Sequence, residues 1–429
     1  MGRELPASVG QRLLWVLDHY RGDDGALNCP VLFRVRGPLD RDRLNAAVNA
    51  LTQRHESLRT TFEGRGSRLL QLVHETQTLS IKQVDLSDSV CPTVRAQQAI
   101  DGELTTSIDP RVWPVRVTLW RLGEQDHILC INVHHLVTDA WSGVRIFREL
   151  QLLLNGATVH SLPAIRWQYA QFTEWQYKSF QEHMFGEQQA YWQRKLLGAE
   201  CPELPFKPRA AQGSDVRRTA SEISTIDADS VESLRQLARK HRTTFFTVML
   251  AAFYGTLHRV TGQTDLAVGS IFANRFRPEV SNTIGFFANM LVLRNRFPMH
   301  PNFLEILENT RNTVQEAFLH QALPYQLLPA NTIQAGPRRP DDVVFQLLSE
   351  PMNATNIRDA RVEMLLPASL SRRFDLELTL VPRDGALNLA LYYNAARLDR
   401  DRVAAFLEEY ASFIVAIGGG PRRRASDKA

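Results

Sequence analysis

The stretch Ile131-Asn132-Val133-His134-His135-Leu136-Val137-Thr138-Asp139-Ala140-Trp141-Ser142 decides how this chain is read. The residues leading into it, His127-Ile128-Leu129-Cys130-Ile131-Asn132-Val133, are apolar and β-branched enough for a largely buried strand. Beyond it, Val144, Phe147, Leu150 and Leu154 recur at helical spacing. Two adjacent histidines therefore fall at a strand-to-helix junction, with Asp139 four residues past the second. Successive side chains on a strand point to opposite faces, so His134 and His135 are not expected to chelate one metal, and no metal site is expected. One of them can face a cleft. Imidazole titrates nearest to neutrality, which suits it to take a proton from an attacking nucleophile. A single histidine is more often a hydrogen-bonded structural residue; here the surrounding string favours chemistry.

Composition bounds the rest. At 429 residues the chain exceeds the size at which one core stops growing, so two domains are expected. Hydrophobic residues at 44% and charged residues at 22% are ordinary for a globular protein. A net charge of +4 without a basic stripe argues against a dedicated nucleic-acid binder. Arg422-Arg423-Arg424, after Gly418-Gly419-Gly420, is the only compact basic run and reads as part of a mobile tail. Cys29, Cys91, Cys130 and Cys201 form no CxxC pair, so neither a zinc site nor a disulfide framework is suggested and a reducing cytoplasm fits. No apolar run approaches the roughly 20 residues that span a bilayer. Met1-Gly2-Arg3-Glu4-Leu5-Pro6 lacks a signal-peptide core and carries proline where a myristoylation signal needs Ser or Thr.

Along the chain, Ser8 followed by Gln11, Leu13, Leu14, Trp15 and Leu17 predicts a capped amphipathic helix. Val31 to Val35 is strand-like, and Asp40 precedes a helix with Leu44, Ala47, Val48 and Leu51 on one face. Strands are expected around Leu69 to Val73 and Val115 to Trp120. Between residues 162 and 213 the texture turns Trp- and Gln-rich, then proline-containing at Pro202, Pro205 and Pro208, which reads as the crossing between domains. The second half opens with Asp229 before Val231, Leu234 and Leu237, followed by a helix over about 244–260 that is apolar nearly all round and therefore buried. Strand-like runs follow at Leu266 to Ile271, Met290 to Arg294, Val343 to Leu347, Phe374 to Leu380 and Leu387 to Tyr393. Both halves read as helices against a mostly antiparallel or mixed sheet, an α/β fold of the α+β sandwich kind. The expected limits are 1–175, 176–417 and a tail at 418–429.

Several strings taken together are more specific. The chain resembles the condensation domains of nonribosomal peptide synthetases, within the wider superfamily that includes chloramphenicol acetyltransferase. The signature HHxxxDG matches His134-His135-Leu136-Val137-Thr138-Asp139-Ala140 except at its last position. Ser8-Val9-Gly10-Gln11-Arg12-Leu13-Leu14-Trp15 is similar to the family's first motif, and Arg54-His55-Glu56-Ser57-Leu58-Arg59-Thr60-Thr61-Phe62 to its second. Tyr169-Ala170-Gln171-Phe172-Thr173-Glu174-Trp175 resembles the fourth, and Ile284-Gly285-Phe286-Phe287-Ala288-Asn289-Met290-Leu291-Val292-Leu293-Arg294 the fifth. His320-Gln321-Ala322-Leu323-Pro324-Tyr325-Gln326 resembles the sixth.

The resemblance implies two chloramphenicol-acetyltransferase-like lobes in a V-shaped pseudo-dimer with a central tunnel. It implies a donor acyl group carried as a phosphopantetheine thioester on a peptidyl or acyl carrier protein, and His135 as the residue assisting attack by the acceptor. No cofactor is expected on the chain itself, and no nucleic-acid or membrane partner; a monomer is expected. Whether His135 is a full general base or a positioning hydrogen bonder stays open, because an amine needs less help than a hydroxyl. His134 supports the motif. Asp139 is expected to lock the loop by pairing with Arg275, with Arg294 as second choice. Arg54, His55, Glu56 and Arg59 read as ion pairs fixing one lobe. Trp141 and Ser142 follow the motif, and Ser142 either donates to an oxyanion or caps the helix, with capping favoured. Asn289 is placed near the tunnel, for a functional hydrogen bond or for simple backbone capping.

Three departures matter. Ala140 replaces the family glycine, which allows close approach or a strained φ. Gly336-Pro337-Arg338-Arg339-Pro340-Asp341-Asp342 matches the seventh motif poorly, so contacts there do not transfer. The chain ends soon after the domain, which reads as a free-standing enzyme joining a carrier-bound group to an alcohol or amine, with a lean to an ester. The alternatives are epimerisation of a carrier-bound aminoacyl group, or a non-catalytic module that recruits a carrier or tailoring enzyme. A plant-type acyl-CoA transferase would carry a DFGWG string, which is absent.

Overall fold

The computed structural model describes residues 2–21, 25–199, 201–206, 219–329, 332, 342–348, 353–365 and 374–419. In chain order its elements begin with β1 (Arg3–Pro6), α1 (Val9–Arg21), β2 (Asn28–Arg36) and α2 (Arg41–Arg54). Next come β3 (Thr60–Arg65), β4 (Arg68–Val73), β5 (Lys82–Asp85), α3 (Pro92–Thr105), β6 (Val115–Gly123), β7 (Asp126–His134), α4 (Ala140–Leu154) and α5 (Tyr169–Gln181). After these follow α6 (Gly186–Leu196), β8 (Thr219–Ile226), α7 (Ala228–Lys240), α8 (Phe245–Thr261), β9 (Asp265–Phe272), β10 (Asn289–Arg296) and α9 (Phe303–Leu319). The chain closes with β11 (Val343–Leu347), β12 (Thr355–Ile357), β13 (Ala360–Leu365), β14 (Leu376–Arg383), β15 (Ala386–Asn394) and α10 (Arg400–Ile417).

Two compact units result. The first comprises Met1–Phe185, Ala273–Ala288 and Asn353–Ser371. Its main sheet runs β12-β13-β2-β7-β6-β5, and a smaller one runs β1-β4-β3. β7 is buried on both faces, which is why it reads as a continuous apolar run. Leu129, Ile131 and Val133 share a cluster with Leu44, Val48 and Leu51 of α2 and Ile146 and Leu150 of α4. Ile128 and Cys130 pack instead with Ala96, Ile100 and Leu104 of α3. Helices therefore cover both sides of β7 and hold its last residue, His134, at a fixed place.

The second unit comprises Gly186–Phe272, Asn289–Met352 and Arg372–Ala429. Among the described residues its sheet runs β10-β9-β11-β14-β15-β8, antiparallel except where β11 lies parallel to β9 and β14. The helix expected over about 244–260 is α8, buried from Thr247 through Leu257 and packed among α7, α9 and α10. On β14, Leu376, Leu378 and Leu380 are buried while Glu377 and Thr379 are half-exposed, the alternation its sequence showed.

The units are not the contiguous halves expected from sequence. The first continues to 185 rather than 175, keeping α5, and residues 273–288 and 353–371 return to it from the second half. The return has a physical basis in each case. β13 pairs antiparallel with β2, from Arg361 opposite Arg36 to Leu365 opposite Leu32. The 273–288 connection between β9 and β10 carries hydrogen-bond partners for Asp139. Gly418 and Gly419 close α10, and the rest of the expected tail lies outside the described residues, as do residues 336–341 of the seventh string.

One buried charge cluster ties α2 to α4. Glu149 Oε2 accepts from Arg54 Nε at 3.0 Å and lies 2.8 Å from His55 Nε2, with His55 and Glu149 fully buried. Burial lowers the His55 pKa by more than the Glu149 hydrogen bond raises it, so the ring stays neutral in the fold. The unfolded chain takes up that proton near pH 6.5, about the free imidazole value, so stability is full above it and falls as the pH drops below it. Urea unfolding of the wild type is expected to weaken by up to about 1.4 kcal/mol per pH unit in that window. A His55→Gln chain should show a flatter profile; parallel profiles for the two chains would contradict the assignment.

Candidate active site

β7 ends at His134, and a single 3-10 turn over His135–Val137 carries the chain to Asp139, the N-cap of α4. The two histidines diverge as a strand end requires. His134 is buried; its Nδ1 accepts from the Leu136 backbone N–H at 3.2 Å, and its Nε2 lies 3.5 Å from an Asp18 carboxylate oxygen. His135 is half-buried, and its Nδ1 stands 2.8 Å from the Thr138 carbonyl oxygen. A carbonyl only accepts, so Nδ1 carries a proton, and in the neutral form of the ring Nε2 is the basic nitrogen. Among the described residues no cluster of three or more His, Cys, Asp or Glu could hold a metal ion.

Asp139 is 3% exposed and its carboxylate accepts five hydrogen bonds, from Ser142 N–H, Phe287 N–H, Ala288 N–H and both Nη atoms of Arg275 at 2.8–3.1 Å. Burial works against its charge, but the Arg275 guanidinium and these hydrogen bonds hold its pKa below the ordinary value. Arg275 also donates to Ser142 Oγ at 2.9 Å and lies over the Phe287 ring at 4.4 Å and the Trp141 ring at 5.8 Å. Asn274, just before it, adopts a left-handed φ of 52° and donates its side-chain amide to the Phe287 carbonyl at 3.1 Å, turning the chain so that Arg275 faces α4.

Ser142 does not cap the helix as expected, since Asp139 holds the N-cap position, and its hydroxyl is committed to this frame instead. Its Oγ donates to the Gly285 carbonyl at 3.0 Å and accepts from the Gly285 N–H at 3.1 Å and from Arg275, which leaves it braced rather than available to an oxyanion. Ala140 is the exposed first residue of α4 and does not have a positive φ.

Arg294, the alternative partner for Asp139, is engaged elsewhere. It pairs with both carboxylate oxygens of Asp265 at 2.7 Å and donates to the carbonyls of Lys195, Leu197 and Gly198, all within the second unit. Asn289 donates to the carbonyls of Gln321 and Leu323 at 2.8 Å and accepts from Tyr325 N–H at 3.2 Å, so its side chain pins the sixth string to β10. Arg59 donates to the His74 carbonyl, and Glu56 pairs with Arg3 at 2.7 Å.

Residues quoted in the first and fourth strings but given no role at the site complete it, and the cap expected at Ser8 is present. Ser8 and Gln11 cap α1 reciprocally, Ser8 N–H to Gln11 Oε1 at 2.9 Å and Gln11 N–H to Ser8 Oγ at 3.2 Å. Gln11 Nε2 then donates to the Leu136 carbonyl at 2.9 Å, tying the first string to the histidine turn. Tyr169 donates its hydroxyl to the Phe286 carbonyl at 2.7 Å and lies 2.8 Å from Ser8 Oγ, which tie the fourth string to the fifth and the first. The Ser-x-x-Gln spacing of Ser8 and Gln11 at a helix start was the available signal for Gln11.

Comparison with known proteins gives one consistent answer. The family described as Condensation domain matches residues 1–428. One of the linear gramicidin synthase proteins of Brevibacillus parabrevis is 34% identical over 98% of this chain, which spans only 8% of that protein. Phosphinothricin tripeptide synthetase PhsC of Streptomyces viridochromogenes is 31% identical over 97% of this chain, which spans 39% of it. Among solved structures, the condensation domain of the monacolin K polyketide synthase MokA superposes with a TM-score of 0.85 at 24% identity, covering 98% of each chain. SgcC5 from Streptomyces globisporus superposes with a TM-score of 0.77 at 25% identity, covering 97% of this chain and 99% of that one.

The Asp139 network sets a clear expectation. Asp139→Asn removes the charge facing Arg275 and turns a donor toward groups that themselves donate, so it should cost about 3–5 kcal/mol of stability. Thermal melting and soluble yield should fall at least as far as any activity; a chain of normal stability would contradict the bracing role.

Proposed function

Because the chain belongs to the condensation-domain family, we propose that it transfers an acyl or aminoacyl group from the phosphopantetheine thioester of a carrier protein to an amine or hydroxyl acceptor. One observation carries the reading: the Nδ1 proton of His135 is held by the Thr138 carbonyl, so Nε2 is the basic nitrogen of a half-buried ring. The acceptor nitrogen or oxygen attacks the thioester carbonyl carbon, the new C–N or C–O bond forms and the C–S bond breaks. His135 Nε2 takes the acceptor's proton and returns it to the departing thiolate, so no other reagent is needed.

A thioester is already activated, so most of the acceleration comes from placing the acceptor, and the remaining task is one proton. That task differs between acceptors. An amine can attack in its neutral form and lose its proton late, whereas a hydroxyl must lose it during attack. Two relatives bracket the choice. Phosphinothricin tripeptide synthetase PhsC is by name a peptide synthetase, which supports an amide. SgcC5 was crystallised with (R)-(-)-1-(2-naphthyl)-1,2-ethanediol, a vicinal diol, which supports an acceptor hydroxyl. The ester reading leans on the second and on the tautomer of His135.

The test is incubation with an acylated carrier protein and matched amine and alcohol acceptors of the same carbon skeleton, with products identified by mass. His135→Ala should lower transfer by about 10²–10⁴-fold, more for the hydroxyl than for the amine, with carrier binding unchanged. Transfer at the wild-type rate would remove His135 from the chemistry. Carrier binding with no transfer by the wild type would assign the chain to recruitment.

A further inference from the structure

We propose that Phe286 is a positioning residue for His135 and that Gly10 seats its ring, an inference that rests on His135 as the working histidine. The Phe286 ring stands edge-on to the His135 imidazole, with centroids 5.0 Å apart and planes at 73°. Both side chains are half-buried, so Phe286 is not an interior filler.

Gly10 lies in the first turn of α1. It has no positive φ, so backbone freedom does not account for it, and glycine is a poor helix former. Space accounts for it. A Cβ at residue 10 would lie 2.8 Å from Phe286 Cε1 and 3.2 Å from Cδ1.

The backbone of Phe286 cannot retreat from such a methyl. Its carbonyl accepts from Tyr169, the next two N–H groups donate to Asp139, and Gly285 before it is bonded in both directions to Ser142. Gly285 is itself wedged, since a Cβ there would stand 2.1 Å from Tyr169 Cδ2. Only the ring of Phe286 can turn, and its neighbour is the imidazole. The Nδ1 bond to Thr138 fixes the tautomer of His135, and the edge of Phe286 restrains the tilt of the ring about that bond.

The experiment compares Gly10→Ala, Phe286→Leu and the double variant by three readouts. These are the imidazole C–H resonances of His135 in 13C-histidine-labelled protein, assigned with His135→Ala, the thermal midpoint, and acyl transfer from the loaded carrier. Gly10→Ala and Phe286→Leu should each move the His135 resonances and lower kcat about tenfold, with KM for the acceptor and the melting temperature little changed. The double variant should be no slower than Phe286→Leu alone, because the added methyl has no ring to push. Independent losses in the double variant, or His135 resonances unmoved in either single variant, would overturn the proposal. Resonances that respond as stated in a protein that transfers nothing would leave the positioning intact and reject the acyl-transfer reading.

Discussion

A carboxylate with 3% of its surface exposed must be matched on every side, and Asp139 sets the arrangement around it. An unpaired charge in that position costs several kcal/mol. The chain meets the demand by bringing the 273–288 connection to the N-terminus of α4, where two consecutive backbone N–H groups and a bidentate guanidinium converge on one side chain. The Asp139 side chain also caps α4, so one residue fixes the helix start and the connection together. The separation of tasks follows. With both oxygens of Asp139 occupied, the carboxylate is not needed to orient His135, whose tautomer is set by the Thr138 carbonyl inside the same turn.

The first string, the histidine motif, the fourth string and the start of the fifth are bonded together. Ser8 Oγ meets the Tyr169 hydroxyl, and Tyr169 donates to the Phe286 carbonyl, which leaves the Ser8 hydroxyl proton to serve Tyr169. Gln11 reaches the Leu136 carbonyl and the Gln71 side chain, so α1, β4 and the histidine turn are cross-tied. Burial raises the Tyr169 pKa, so the phenol keeps the proton its hydrogen bond to Phe286 requires. Each link joins residues far apart in sequence, which explains why these short strings carry polar residues at otherwise apolar positions.

Local features were legible in the sequence because local rules govern them. The buried strand at β7, the all-round apolar helix α8 and the alternation on β14 each follow from periodicity, and Asp139 at a helix start with an arginine partner follows from the cost of burying a charge. The unit boundaries were not legible, since nothing in the composition of residues 353–371 shows that β13 pairs with β2 more than 320 residues earlier. Arg275 was the first choice of partner by resemblance and is the one observed, while Arg294 lies on β10 beside Asp265 of β9, a pairing that strand register decides. Glu149 was invisible for a related reason. It lies on the buried side of α4, and only α2 packed against that helix makes a charge tolerable there.

The glycines separate two uses of a missing side chain. Ala140 stands where the resembled signature has glycine, yet it is an exposed first residue of a helix without a positive φ, so a methyl there meets no strain of its own backbone. At Gly10 and Gly285 the constraint is a neighbour's ring, and a methyl at either position would collide with Phe286 or Tyr169. Those two rings are joined through the Tyr169 hydroxyl and the Phe286 carbonyl, so both glycines protect the same short path to His135. At residue 140 the backbone merely turns into a helix and demands no glycine, whereas at residues 10 and 285 the space beside the Cα does.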